Sequence, residues 1–247
     1  FDLRDRVIVL TGGGGLYGRG LTAMLAETGA QLVIASRDLA KLEAIAAEEN
    51  ARGCSVHAEP LDQGDEKSVL ALRDRVLARF DRVDGLVNNS VARPMTSPDA
   101  PVSAWEESMT LNFVRVRQLT HAVLPGMMKR HWGRVINISG KSEPEALIAA
   151  TPTKAAIHAW SKGLSREVGP HGVTVNCIPP GRIMSEQIRR KYSPEFRAEQ
   201  SRTEIPVGRY GEPEELAVLA VFLASPLAGY ITGTVMPVDG GLRKYAF

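Results

Sequence analysis

Cysteine is scarce in this chain of 247 residues: only Cys54 and Cys177 occur, with no CxxC pair and no metal-ligand spacing. That argues against a disulfide framework and a thiolate metal site, so no metal is expected and a reducing, cytoplasmic setting fits best. Net charge is scarce as well. The 30 Lys and Arg against 28 Asp and Glu leave +2, so nothing points to nucleic acid or an anionic membrane surface as partner. No apolar run is long enough to cross a bilayer, and the amino end lacks the basic-then-apolar order of a signal peptide. Internal repeats, low-complexity tracts and interdomain linkers are missing too. What is present is an ordinary globular composition, 44% hydrophobic and 23% charged, with length for one domain spanning 1–247 and a substantial core.

Short β-rich apolar runs alternate with helical patterns along the whole chain. Strands are expected at 6–11 (RVIVLT), 31–36 (QLVIAS), 56–61, 85–88 (GLVN), 134–139 (RVINIS), 173–178 (VTVNCI) and 234–238. Helical spacing fills 18–28, 39–50 and 67–80. Strands separated by helices of that length need crossover connections. The expected architecture is therefore α/β, a Rossmann-type doubly wound parallel sheet of about seven strands. Residues 181–207 carry no clear periodicity, and within them 182–207 reads as a substrate lid.

The first strand and first helix are joined by Thr11-Gly12-Gly13-Gly14-Gly15-Leu16-Tyr17-Gly18. A parallel sheet presents ligands at the carboxyl ends of its strands, and a helix amino-terminus offers free N–H groups to phosphate. A glycine cluster in that place lets backbone approach a pyrophosphate, which marks Gly12, Gly14, Gly15, Leu16, Tyr17 and Gly18 as cofactor contacts. The second strand ends in Ser36-Arg37, where a carboxylate for the ribose hydroxyls of NAD would stand in a cofactor fold of this kind. A guanidinium there pairs with a 2′-phosphate, so NADP(H) is favoured over NAD(H).

Together with Asp62, Asn88-Asn89, Asn112, the 133–139 strand, Lys154, Pro180-Gly181 and the block ending Val238-Asp239-Gly240-Gly241, these features resemble the short-chain dehydrogenase/reductase family. The likeness covers almost the whole chain and is nearest the 3-oxoacyl-acyl-carrier-protein reductase branch. It implies that Asp62 and Gln63 meet the adenine and that Asn89 sits near the nicotinamide ribose. It further implies that Pro180 and Gly181 contact the cofactor, with Ile183 and Ser185 flanking the carboxamide. Asn112 and Lys154 would belong to the catalytic set, Lys154 also holding the ribose. A homo-oligomer, dimer or tetramer, is likewise implied.

The pattern breaks at the proton donor. Four residues before Lys154, where the family carries tyrosine, this chain has Ala150, and Gly140 stands where the family's serine is usual. Ser139 or Ser142 is left to supply a hydroxyl. Tyr17, Tyr192, Glu143 and Glu145 are lower-ranking proton donors, and His158 reads as a residue packing on a helix face. The leading expectation is an atypical oxidoreductase moving hydride between NADP(H) and a small carbonyl, imine or related substrate. Two alternatives stay open: a catalytically silent NADP(H)-binding or regulatory homologue, and a non-redox enzyme using the same pocket.

Overall fold

A computed structural model describes residues 1–15, 17–89, 97–140 and 147–244, with only the backbone of Glu186 and Gln187. Six parallel strands form one sheet in the order β3-β2-β1-β4-β5-β6: β1 Val7–Thr11, β2 Gln31–Ser36, β3 Ser55–Pro60, β4 Gly85–Asn88, β5 Gly133–Ile138 and β6 Val173–Ile178. The crossovers are α1 Gly18–Ala26, α2 Leu39–Ala51, α3 Glu66–Phe80, α4 Val102–Met109, α5 Arg115–Lys129 and α6 Ala150–Val168. Beyond β6 follow α7 Glu186–Lys191, α8 Pro194–Glu204 and α9 Pro213–Ala224.

Side chains alternate across the sheet, so β1 feeds two cores at once. Ile8 and Leu10 pack with Leu21 and Leu25 of α1 and Leu216 of α9. Val7 and Val9 pack on the other face with Leu72 and Val76 of α3 and Leu119 of α5. Each such side chain contributes about 1.5–3 kcal/mol by leaving water, which explains why β1 reads Val-Ile-Val-Leu before its final Thr11. At the amino edge, buried Asp84 accepts from Val7 N–H (2.9 Å) and from Arg82 Nε (2.7 Å) and Nη2 (2.8 Å), pinning β4 to β1.

The expected seventh strand is reduced to isolated bridges, Cys177 with Val235 and Pro180 with Val238, although 234–238 lies alongside β6. The physical reason is proline. Pro179, Pro180 and Pro237 lack the N–H groups that a continuous ladder needs. The aperiodic stretch also holds order that periodicity did not reveal. Ser185 and Ser193 accept N–H bonds from Ile188 and Phe196 and so start α7 and α8.

The chain order reverses between β2-β1 and β4. With Thr11 level with Asn88 across that junction, the crevice above β1 and β4 is where a parallel sheet accommodates a ligand.

Candidate functional site

The glycine turn leaves β1 at Gly12, which holds φ +69°, a left-handed conformation that glycine adopts without strain. At Gly18 a Cβ would stand 2.3 Å from the carbonyl oxygens of both Gly12 and Gly13, so the turn closes only around a bare Cα. The N-cap residue of α1, Tyr17, gives no side-chain hydrogen bond to the helix, so no cap competes with an incoming anion for the first N–H groups. Gly15 N–H donates to Gly12 O, while Leu16 lies outside the described residues. A Cβ at Gly14 would stand 3.5 Å from Ser36 Oγ and 3.6 Å from Lys41 Cδ, which puts both side chains beside the turn.

Arg37 is exposed next to Ser36, and neither Arg37 nor Lys41 has an ion-pair partner among the described residues. The nearby acid, Asp38, is occupied as the N-cap of α2, accepting from Lys41 N–H at 3.0 Å. Lys41 was not foreseen from sequence. Its signal was there, a lysine in the first turn of the helix that follows Ser36-Arg37.

Asn89 ties β4 to the turn. Its N–H donates to Thr11 Oγ1 (3.1 Å) and its Nδ2 to Gly12 O (3.1 Å), while its buried Oδ1 has no partner among the described residues. Gln63 is buried with both amide atoms unpartnered among the described residues. Asp62 is exposed and accepts from Gly64 N–H at 2.9 Å. Buried polar atoms without partners are rare enough to require a cause, and a ligand along this edge is one.

The other half of the edge is formed by β5, β6 and the helices beside them. Asn112 lies fully buried in a π-turn, Thr110–Val114, between α4 and α5, where Arg115 N–H reaches back five residues to Thr110 O. Its Nδ2 donates to Ser108 O (3.0 Å) and Ser108 Oγ (3.2 Å). Such bulges swing one side chain out of helical register and cluster at functional sites. Lys154, 4% exposed on α6, directs Nζ at Ile138 O, 3.5 Å away. Ala150 opens α6 one turn earlier, and its carbonyl accepts from Thr153 Oγ1.

Ser139 follows β5. Its N–H donates to Ile178 O at 3.0 Å, and its Oγ shares a 2.7 Å hydrogen bond with His158 Nε2. His158 therefore does more than pack on a helix face. Burial, then the cations of Arg243 and Lys154, push its pKa down to about 4. Burial likewise lifts the thiol of Cys177, on β6, to about 11.

The remaining sequence-predicted residues are dispersed. Tyr17 is buried in the first core cluster. Tyr192 stacks on Phe196 with ring centroids 4.9 Å apart, within the 182–207 segment. Pro180 bridges to Val238 and Ile183 to Gly211, while a Cβ on Gly181 would meet Asp239 at 2.5 Å. The Ser185 hydroxyl is engaged in capping α7. Ser142, Glu143 and Glu145 lie outside the described residues. A groove of about 550 Å³ beside α8, lined by Met184, Arg197, Ser201, Arg209 and Tyr210 among others, contains none of the predicted site residues.

This architecture has known relatives. A family profile described as Enoyl-(Acyl carrier protein) reductase matches residues 17–243. The chain is 31% identical to the 3-oxoacyl-acyl-carrier-protein reductase of Aquifex aeolicus, over 97% of this chain and 98% of that protein. It is 34% identical to the rhamnolipids biosynthesis 3-oxoacyl-acyl-carrier-protein reductase of Pseudomonas aeruginosa, over 98% of each. The solved Pseudomonas aeruginosa RhlG/NADP active-site complex superposes with TM-score 0.89 at 33% identity, covering 98% of this chain and 97% of that one.

Proposed function

This chain belongs to the short-chain dehydrogenase/reductase family, close to its 3-oxoacyl-acyl-carrier-protein reductase branch, and on that premise we propose that it is an NADP(H)-dependent oxidoreductase with a non-standard proton donor. The observation that carries the reading is the set of buried, unpartnered polar atoms at the carboxyl edge, the Gln63 amide and Asn89 Oδ1, beside an uncapped helix amino-terminus. A nicotinamide dinucleotide fits these groups. The turn from Gly12 to Gly18 would hold the pyrophosphate, Asp62 and Gln63 the adenine, and Asn89 and Lys154 the nicotinamide ribose. Pro180, Gly181, Ile183 and Ser185 would border the nicotinamide. Ser36, Arg37 and Lys41 would take the 2′-phosphate, with Asp38 withdrawn into its capping bond. When bound, the nicotinamide supplies or accepts the hydride.

The chain's own contribution is position and potential. Lys154, buried against Ile138 O, brings a fixed cation to the reacting end, where low dielectric strengthens it. Asn112 is held by Ser108 in its π-turn. The segment 182–207, with α7 and α8, serves as the lid over a small carbonyl, imine or related substrate. A substrate already protonated, such as an iminium, suits a site that has a methyl at Ala150 in place of the family's phenol. The family's dimer or tetramer is part of the reading, supported by the exposed apolar side chains of Val102 on α4 and of Leu227 and Tyr230 beyond α9. Among the described residues no helix is long and apolar enough to cross a membrane.

The test is a titration followed by a screen. NADPH is expected to bind at least about tenfold more tightly than NADH, a difference near 1.4 kcal/mol, and Arg37→Ala or Lys41→Ala to erase much of it. Equal affinities for the two cofactors in the wild type would refute the NADP(H) assignment. NADPH oxidation is then followed against ketones, imines and activated alkenes. Ala150 specifically favours a second reading, a silent NADP(H)-binding homologue, whose signature is tight NADPH binding with no oxidation across the panel. The non-redox reading rests on Glu143 and Glu145, outside the described residues.

A further inference from the structure

Reduction of a carbonyl or imine leaves a heteroatom that needs a proton, and Ala150 has none to give. One pair of groups at the site is unused by the reading above. Ser139 and His158, 19 residues apart in the chain, meet at 2.7 Å. We propose that Ser139 and His158 are the proton relay of this site, Ser139 Oγ bonding the substrate heteroatom and His158 replenishing it. The proposal rests on the hydride-transfer reading and names the group that completes it.

Three observations converge on this pair. First, His158 follows Lys154 by four residues on α6, so both side chains rise from one face of the helix. Lys154 Nζ reaches Ile138 O, and Ser139 is the next residue, which gathers Lys154, Ser139 and His158 around the end of β5. Second, Ser139 is 2% exposed and Lys154 4%, while His158 is only half-buried. The pair thus runs from a dry interior toward solvent, which is the course a proton must take. Third, an apolar side chain at position 158 would pack on α6 without having to desolvate a titratable ring beside two cations, Lys154 and Arg243. One hydrogen bond to a serine is small return for that burial if the pair were only structural.

The chemistry balances. The substrate carbon gains hydride, forming a C–H bond, as its π pair moves to the heteroatom; the reductant is the reduced nicotinamide. The heteroatom takes the Ser139 hydroxyl proton. Ser139 Oγ takes the Nε2 proton of His158, and Nδ1 takes one from solvent. The imidazole begins and ends neutral but with its proton moved from Nε2 to Nδ1, and loss of the Nδ1 proton to solvent with reprotonation of Nε2 restores the donor before the next turnover. Its depressed pKa, set by burial with Arg243 and Lys154 as the facing cations among the described residues, suits a conduit rather than a reservoir.

The experiment uses the full chain loaded with NADPH and whichever substrate of the panel turns over. Ser139→Ala and His158→Gln are expected to lower kcat by about 10²–10³-fold with KM and NADPH affinity within about twofold, and Ser139→Thr to retain most of the rate. Added imidazole is expected to restore His158→Gly at least about tenfold, which a purely structural histidine would not permit. Independently of turnover, Ser139→Ala should shift the ¹⁵N resonance of His158 Nε2 in the loaded protein while leaving those of His57 and His121 in place. An active wild type whose Ser139→Ala and His158→Gln variants work within threefold of it overturns the relay alone. A wild type that binds NADPH and oxidises it with no substrate overturns the hydride-transfer reading, and the relay with it.

Discussion

Around β1, β2 and β4 the carboxyl edge is a backbone turn with side chains such as Asn89 and Gln63 set around it, and around β5 and α6 it is built from side chains alone. The first half works through a left-handed Gly12, a Gly18 with no room for a Cβ, and a helix start left uncapped. The second half works through Lys154, Asn112, Ser139 and His158, each held by a particular partner: Ile138 O, Ser108, and Ser139 and His158 for each other. Backbone sites tolerate few changes, because a turn either closes or does not. Side-chain sites can exchange one group for another while the scaffold stays as it was. On the proposed reading, that difference would let the turn half keep its form while position 150 carries alanine and position 140 glycine in the other half.

The comparison breaks most easily at Gly18. Gly18→Val would drive a branched side chain into two carbonyl oxygens, and NADPH affinity is expected to fall by at least about 100-fold, some 2.7 kcal/mol. Fluorescence titration measures it; binding within tenfold of wild type would mean that the turn is not the phosphate site. Next comes Ala150→Tyr, which tests whether the reacting half still has room for a phenol one turn before Lys154. Ketone turnover should rise about 10²-fold, the low end of what a positioned proton donor supplies. Intact NADPH binding with no gain in rate would show that the pocket itself has been rebuilt.

A smaller effect separates the halves by pH. The folded pKa of His158 is pushed from 6.5 down to about 4, so between those values the unfolded chain binds a proton that the folded chain refuses. Stability contributed by the neutral ring is therefore complete above about pH 6.5 and is lost as pH falls toward 4. His158→Asn should flatten this acid limb in thermal melts recorded across the window, and an unchanged slope would contradict the burial of a neutral imidazole. Smallest of all is Gln63→Leu in the dinucleotide half. Removing two unpartnered buried polar atoms should stabilise the unliganded protein by about 1 kcal/mol and weaken NADPH binding only a few-fold. Loss of stability in chemical denaturation would mean that Gln63 has partners of its own.

The glycine turn and the Ser36-Arg37 pair were legible along the chain, because their signals are local. Glycines between a strand and a helix, and a Ser36-Arg37 where an acid would suit NAD, can be read within a few residues of each other. Lys41 was missed, although it stands in the first turn of α2, because its nearness to Gly14 depends on how α2 crosses the turn. The seventh strand was overstated, since hydrophobic pattern marks where a segment lies but prolines 179, 180 and 237 decide how much ladder it forms.

The reacting half was legible only in part. Lys154 and the alanine four residues before it could be read along the chain, but nothing in spacing joins Ser139 to His158. One ends a strand and the other rides a helix, and only the packing of α6 on β5 brings them to 2.7 Å. Sequence by itself determined the parallel sheet, the glycine turn between β1 and α1 and an alanine at position 150, because periodicity, glycine and residue identity are properties of the chain. Tertiary structure decided which polar atoms are left buried without partners and which hydroxyl faces which imidazole. Those depend on distances across the fold and on the water that packing excludes.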